Sequence, residues 1–178
     1  MSTLREKERI QTLKRYEILD TPPDRTFDRI TSLAAKVFKV PIALISLVDQ
    51  DRIWFKSHEG FQAEQIEKEP GFCSSAILSD EIYIIEDARN DPRTFSHPLV
   101  VSEFGLQFYA AVTLRTKNGF NLGTFCIIDK NKKILTGVEK EILKDFAGIA
   151  MDVIELQLST HLLSEQKNAK LKNQKISN

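Results

Sequence analysis

At 178 residues, 42% hydrophobic and 28% charged, the chain can bury one core with helical extensions but not two. Its 25 basic and 25 acidic residues cancel, so no net field draws it to nucleic acid or to an anionic membrane. Two cysteines, Cys73 and Cys126, are too few for a disulfide framework and lack zinc-site spacing; the charged N-terminus and the lack of a long apolar run predict a cytoplasmic protein without a bilayer span or a structural metal.

Leu4, Ile10, Leu13 and Ile18 recur at roughly helical intervals among charges, which predicts an amphipathic helix within residues 1–22. The paired prolines Pro22 and Pro23 stop it. A second helix is predicted around an apolar face of Phe27, Ile30, Leu33, Ala34, Val37 and Phe38. PIALISLVD (41–49) is almost continuously apolar, the pattern of a strand covered on both faces, and it turns at Asp49-Gln50-Asp51 into an antiparallel partner, RIWFKSHEG. Trp54 and Phe55, adjacent on that partner, must point to opposite faces. A short helix in GFCSSAIL (71–78) carries Cys73, and a third strand is predicted at EIYIIED (81–87).

Asn90-Asp91-Pro92 breaks regular structure in the crossing segment that follows, with Asp87 and Arg93 expected to pair across it. QFYAAVTLRT and NLGTFCIID form a second hairpin across Lys117-Asn118-Gly119, because Asn-Gly accepts the positive φ angles that tight turns need. Thr136, with Glu139 three residues on, is a capping box that opens the last helix. In it Ile142, Phe146, Ile149, Val153, Leu156, Thr160 and Leu163 alternate in steps of four and three, the seam of a coiled coil. The first half of this helix is expected to pack on the sheet, and the polar segment 161–178 to fray.

The strands at 42–48 and 122–128 are apolar on both faces, so the face away from the long helices needs a cover. Residues 60–106, punctuated by Pro70, Gly71, Pro92, Pro98 and Gly105, are the material left. An irregular cover over an apolar sheet either encloses a small-molecule pocket or fills as plain core.

Three stretches carry a family resemblance: YEILDTPPDRTFDRITSLAAKVFKVPIALISLVDQDRIWFKS, GFCSSAILSDEIYIIEDARNDPRTFSHPLV and FYAAVTLRTKNGFNLGTFCIIDK. Together they resemble the GAF domains at the input end of bacterial sensor histidine kinases and diguanylate cyclases, with the domain at 23–160, the N-terminal helix at 1–22 and the extension at 161–178. The resemblance implies an α+β fold: a central antiparallel sheet of about five to six strands, terminal helices on one face, and a short helix and loops over a pocket on the other.

Matched to nucleotide-binding members, the pocket would take Leu44, His58, Phe72, Cys73, Phe95, Ser102, Leu106 and Cys126, and strand alternation adds Thr124 beside Cys126. Asp129-Lys130 and Glu139-Lys140 stand where cyclic-nucleotide binders of the family carry Asn-Lys and Asp-Glu, which argues against that ligand. The resemblance implies a non-catalytic sensor or regulatory module of two-component type for an unidentified small molecule. It would pair as a homodimer through Ile142, Phe146, Ile149, Val153 and Leu156 and act on a histidine kinase or diguanylate cyclase output, without nucleic acid or membrane.

Two other readings stand beside it, a purely structural dimerisation domain and a GAF-type free methionine-R-sulfoxide reductase. For the latter, Cys73 falls near a family cysteine, but the crossing loop, SHPLVVSEFG, lacks the attacking one. Ser74, not histidine, follows Cys73, so no covalent bilin is expected. Cys73 itself reads either as a small packed residue or as a reactive thiol at a helix start. His58, His97 and His161 are dispersed and propose no metal triad or relay.

Overall fold

The computed structural model describes residues 3–176, with side chains as far as Lys172; residues 1–2 of the predicted N-terminal segment and 177–178 of the predicted extension lie outside the described residues. The elements run α1 (Thr3–Arg15), α2 (Arg25–Phe38), β1 (Ile42–Val48), β2 (Arg52–Glu59), β3 (Gln65–Glu67), α3 (Phe72–Ala76), β4 (Tyr83–Ile85), α4 (Pro98–Val101), β5 (Phe108–Arg115), β6 (Asn121–Asp129) and α5 (Gly137–Ile176). The sheet order is β3-β2-β1-β6-β5-β4, antiparallel throughout, as the α+β reading expects. β1 and β6 are the two most completely buried strands and lie side by side at the centre, where both faces are covered. β3 is the strand the sequence did not announce: three residues, Gln65–Glu67, with one apolar side chain among them, give no periodicity to read.

Alternation along β1 sends Ala43, Ile45 and Leu47 to the face covered by α1, α2 and α5, and Ile42, Leu44 and Val48 to the face under α3, α4 and the loops. On the helical side Phe125 stacks on Phe146 at 5.6 Å between ring centroids. Gly123 lets β6 approach β1 closely: a Cβ there would run into the Ser46 carbonyl oxygen. At the second hairpin only Gly119 takes a positive φ, 82°, and Thr116 N–H closes the loop on the Phe120 carbonyl. The turn thus uses one left-handed residue, whereas a two-residue Asn-Gly turn would use two.

Several expectations need correction. The buried face of α2 is Phe27, Thr31, Ala34, Ala35 and Phe38, while Leu33 and Val37 are exposed. Hydropathy misplaced the face because Thr31 is drawn inward by a 2.8 Å hydrogen bond to Ser57 Oγ, and Ser57 in turn donates to Asp28 at 2.7 Å. On α1 Leu4 is exposed, and the charged Arg9 is only 1% exposed. Its guanidinium donates twice to the Glu6 carboxylate, at 2.8 and 2.9 Å, and once to the Asn121 carbonyl on β6 at 3.4 Å. Arg93 pairs with Asp91 at 2.6 Å, not with Asp87, because Asp91 lies in the same tight turn; Asp87 instead accepts from Asn90 at 2.9 Å.

α5 is anchored at its start by reciprocal bonds in which Thr136 N–H donates to Glu139 at 2.8 Å and Glu139 N–H to Thr136 Oγ1 at 3.2 Å, the box expected from sequence. Its core-facing residues are Leu143, Phe146, Ala147, Ala150, Met151 and Ile154. Phe146, expected at a dimer seam, therefore belongs to the core. The segment expected to fray from residue 161 is helical to Ile176, in a stretch rich in Leu, Lys, Gln and Glu, all good helix formers. Among the described residues, no helix is long and apolar enough to cross a membrane.

Candidate functional site

The cover over the second face consists of α3, α4 and the loops around them. It closes tightly. Phe61 meets Phe55 edge-on at 5.4 Å and Phe104 at 5.9 Å, while Phe72 lies between His97 at 4.4 Å and Tyr109 at 5.0 Å. The space left beneath these rings is about 30 Å³. A drug-sized site takes roughly 300–1,000 Å³, so this cavity admits a molecule or two the size of water and no nucleotide. Among the described residues that line it, only Cys73 and Tyr109 carry a polar side-chain atom. Phe61, Ile66, Leu99 and Phe104 are half-buried, so they form the rim where the cavity comes nearest to solvent.

Four residues matched to family pockets converge here or beside it: Leu44, Phe72, Cys73 and Leu106 line the cavity. Thr124 and Cys126 lie one step deeper, fully buried in β6. His58, Phe95 and Ser102 do not reach the cavity. His58 is exposed and donates from Nδ1 to the Phe61 carbonyl at 2.6 Å, which fastens the start of the cover to β2. Phe95 is 58% exposed, and Ser102 closes α4 with its N–H on the Pro98 carbonyl at 3.0 Å. These three fail because matching along the chain fixes a loop position but not the direction in which an irregular loop turns its side chains.

Below the cavity lies a polar cluster inside an otherwise apolar layer. Tyr109 Oη donates to Cys73 Sγ at 3.2 Å. Ser46, the lone polar residue of IALISLV, shares a 2.7 Å hydrogen bond with Thr124 Oγ1 on the neighbouring strand. The influence of Cys126, followed by those of Ser46, Tyr109 and Thr124, holds the Cys73 thiol below the ordinary thiol range against the opposing effect of burial. Cys126 is pushed the other way by its neighbour and by burial, and Tyr109 is raised chiefly by burial.

A model of the GAF domain matches residues 22–154. The chain belongs to the GAF domain family. This GAF domain is 35% identical, over 149 residues, to a cyclic di-GMP phosphodiesterase of Pseudomonas aeruginosa; the match covers 83% of this chain and 25% of the relative, so the chain spans about a quarter of that protein's length. It also superimposes on the GAF domain of a phosphoenolpyruvate-protein phosphotransferase from Acinetobacter, with a TM-score of 0.62 at 17% identity over 87% of this chain and 95% of the other. A domain ascribed to a two-component sensor histidine kinase of Sinorhizobium meliloti gives a TM-score of 0.54 at 16% identity over 82% and 96% of the respective chains. At these identities the structures speak for the fold alone.

In this GAF domain the residues that sequence reasoning missed are the cover's plugs, Phe61 and Phe104, and the sheet residues Phe55 and Tyr109 that also line the cavity. Tyr109 could have been found, since it is two residues from Ala111, which pairs with Cys126. Phe61 and Phe104 sit in loops and gave no periodic signal. His97 was set aside as dispersed, yet it knits the cover together. Its Nδ1 accepts from Leu99 N–H at 3.1 Å to cap α4, and Nε2 is buried without a hydrogen-bond partner, facing the Pro70 carbonyl. Burial holds its pKa below the usual histidine value.

Larger depressions lie outside the cover. One of about 510 Å³ runs between β2 and α2, but its Lys56 is already engaged by Thr21 Oγ1 at 2.8 Å and the Pro22 carbonyl at 2.9 Å, a clip that holds the linker to the sheet. Among the described residues, no group of three or more His, Cys, Asp or Glu side chains is placed to hold a metal ion.

Proposed function

We propose that this GAF domain is a non-catalytic regulatory module of a signalling protein, with the covered face as its input and α5 as its output. The observation that carries this reading is the division of labour along α5. Phe146, Ala147, Ala150, Met151 and Ile154 belong to the domain core, while Ile149, Leu156 and Leu163, at intervals of seven, are 51%, 66% and 67% exposed. Ile142 and Val153 sit half-buried at the edge of that stripe.

One rigid helix thus has one side fixed to the sheet and another apolar side free, at the spacing with which two helices pair. In a homodimer built on the stripe, a small shift of the sheet would rotate or slide one helix against its mate, which is how packed helices pass a signal. The 35% identity to part of a cyclic di-GMP phosphodiesterase supports an output of that signalling class as the partner. The small volume under the cover argues for an input of very small size, or for a ligand that must first lift the phenylalanine plugs.

Sedimentation velocity of the whole chain from 1 to 100 μM is the test. A dimer that weakens about a hundredfold or more in the double variant Ile149→Glu, Leu156→Glu, with unchanged circular dichroism, supports the reading. A wild-type protein that stays monomeric throughout refutes it.

A further inference from the structure

The chain's two cysteines, far apart in sequence, belong to one buried cluster on the covered face, where Cys73 lines the small cavity. Both are free thiols, and both are buried. Burial alone would make them inert core residues, because a thiol in apolar surroundings stays protonated. Here the surroundings are not simply apolar. Tyr109 donates to Cys73 Sγ at 3.2 Å, the hydrogen-bonded pair of Ser46 and Thr124 lies in the neighbouring central strands, and Cys126 belongs to the same buried cluster as Cys73 and pairs across the sheet with Ala111, two residues from Tyr109. The Tyr109 hydroxyl stabilises negative charge on Cys73 sulfur more than it stabilises the neutral thiol.

Cys73 also faces a cavity of about 30 Å³, bordered by the half-buried Phe61, Ile66, Leu99 and Phe104, with room for only a very small solute. Hydrogen peroxide is little larger than water, is uncharged, and reacts with thiolates. We propose that Cys73 and Cys126 form an oxidisable dithiol site for a small peroxide, with Cys73 as the attacking sulfur, Cys126 as the resolving sulfur and Tyr109 as the residue that positions and stabilises the attacking thiolate.

The chemistry balances without further reagents. Cys73 thiolate attacks one peroxide oxygen, the O–O bond breaks, and the departing hydroxide takes up the proton lost by the thiol and leaves as water. Cys73 is then a sulfenic acid. The sulfur of Cys126, as it gives up its proton, attacks Cys73 sulfur; the S–O bond breaks, the hydroxide is protonated to a second water, and the disulfide remains. Two sulfurs lose two electrons and one peroxide gains them.

Closing the bond fixes the two Cβ atoms about 3.8 Å apart. That ties α3, which carries Phe72 against His97 and Tyr109, covalently to the central strand β6, which lies against α5. This site supplies a chemistry for the input face of the module proposed above. Its test reads sulfur oxidation and is indifferent to whether the protein dimerises.

The folded chain is treated with a few molar equivalents of hydrogen peroxide, quenched with catalase, and analysed by intact mass and peptide mapping. The expected result is a loss of two hydrogens, a Cys73–Cys126 disulfide, and full reversal by a dithiol reductant. Cys126→Ser is expected to stop at a Cys73 sulfenic acid that dimedone traps. Tyr109→Phe, which keeps the ring and removes the donor, should slow the first step about tenfold while leaving the thermal midpoint within a few degrees, the effect of losing about one hydrogen bond to the thiolate. Peroxide that leaves both thiols intact in the folded protein but oxidises them in urea overturns the proposal, as does oxidation that begins at Cys126. The wild-type measurement decides even if a variant fails to fold.

Discussion

Glu6→Gln isolates the charge that holds the first helix to the sheet. Arg9 is almost wholly buried, and its guanidinium spends two hydrogen bonds on Glu6, which also receives Lys68 Nζ at 3.0 Å from the base of the cover. The bonds from Arg9 are the main reason the Glu6 carboxyl is held at about 2, against an ordinary value of 4.5. Taken whole, that difference would amount to about 3 kcal/mol of stability above the unfolded value. The Glu6 side chain is 29% exposed, so water screens part of it, and the expected contribution is about 1–2 kcal/mol.

A carboxyl depressed in the fold stabilises fully above its unfolded pKa, and the benefit fades as pH falls from about 4.5 toward 2. Urea unfolding of wild type and Glu6→Gln at several pH values should therefore show a gap of about 1–2 kcal/mol at pH 7, or about 3–6 °C in thermal midpoint. The gap should narrow steadily below pH 4.5. A gap under about 0.3 kcal/mol at pH 7, or one that stays constant down to pH 3, would show that Arg9 is not held by the Glu6 charge.

Gly123→Ala should cost more than about 3 kcal/mol, because the new methyl meets the Ser46 carbonyl and pushes the two central strands apart; insoluble or unfolded protein by circular dichroism is expected, and a well-folded variant refutes the close approach. His97 should make the cover looser in acid. Its folded pKa is depressed below the ordinary 6.5, so its neutral form stabilises the fold above that value; as pH falls through the folded pKa, protonation of Nδ1 removes the acceptor for Leu99 N–H. Glu69 is the charged group that opposes the depression. After correction for intrinsic rates, exchange of the Leu99 amide should speed up several-fold between pH 7 and pH 5, and His97→Gln should remove that dependence.

What the sequence made legible follows from local physics. PIALISLVD and NLGTFCIID read as buried strands because continuous apolar runs need cover on both faces, and the Thr136–Glu139 box reads as a helix start because its donors and acceptors lie within one turn. The stripe of Ile149, Leu156 and Leu163 was visible by spacing alone. Phe146 misled, since the same spacing serves a core and a seam, and only packing against Phe125 tells them apart.

The site behaved differently. Leu44, Cys73 and Cys126 lie in the layer under the cover, on a strand or a short helix, where the side-chain direction is set by the backbone period. His58, Phe95 and Ser102 lie at a strand end or in loops, where no period operates.

By itself the amino-acid order determined the amphipathic helices, the two hairpins and the central strands that need cover on both faces, since each follows from the periodicity of neighbouring residues. Tertiary structure alone decided how full the space beneath the cover is, that Arg9 goes inside with Glu6, and that the Tyr109 hydroxyl donates to the Cys73 sulfur. Those outcomes depend on the volumes and directions of side chains brought together from different elements, which no local pattern encodes.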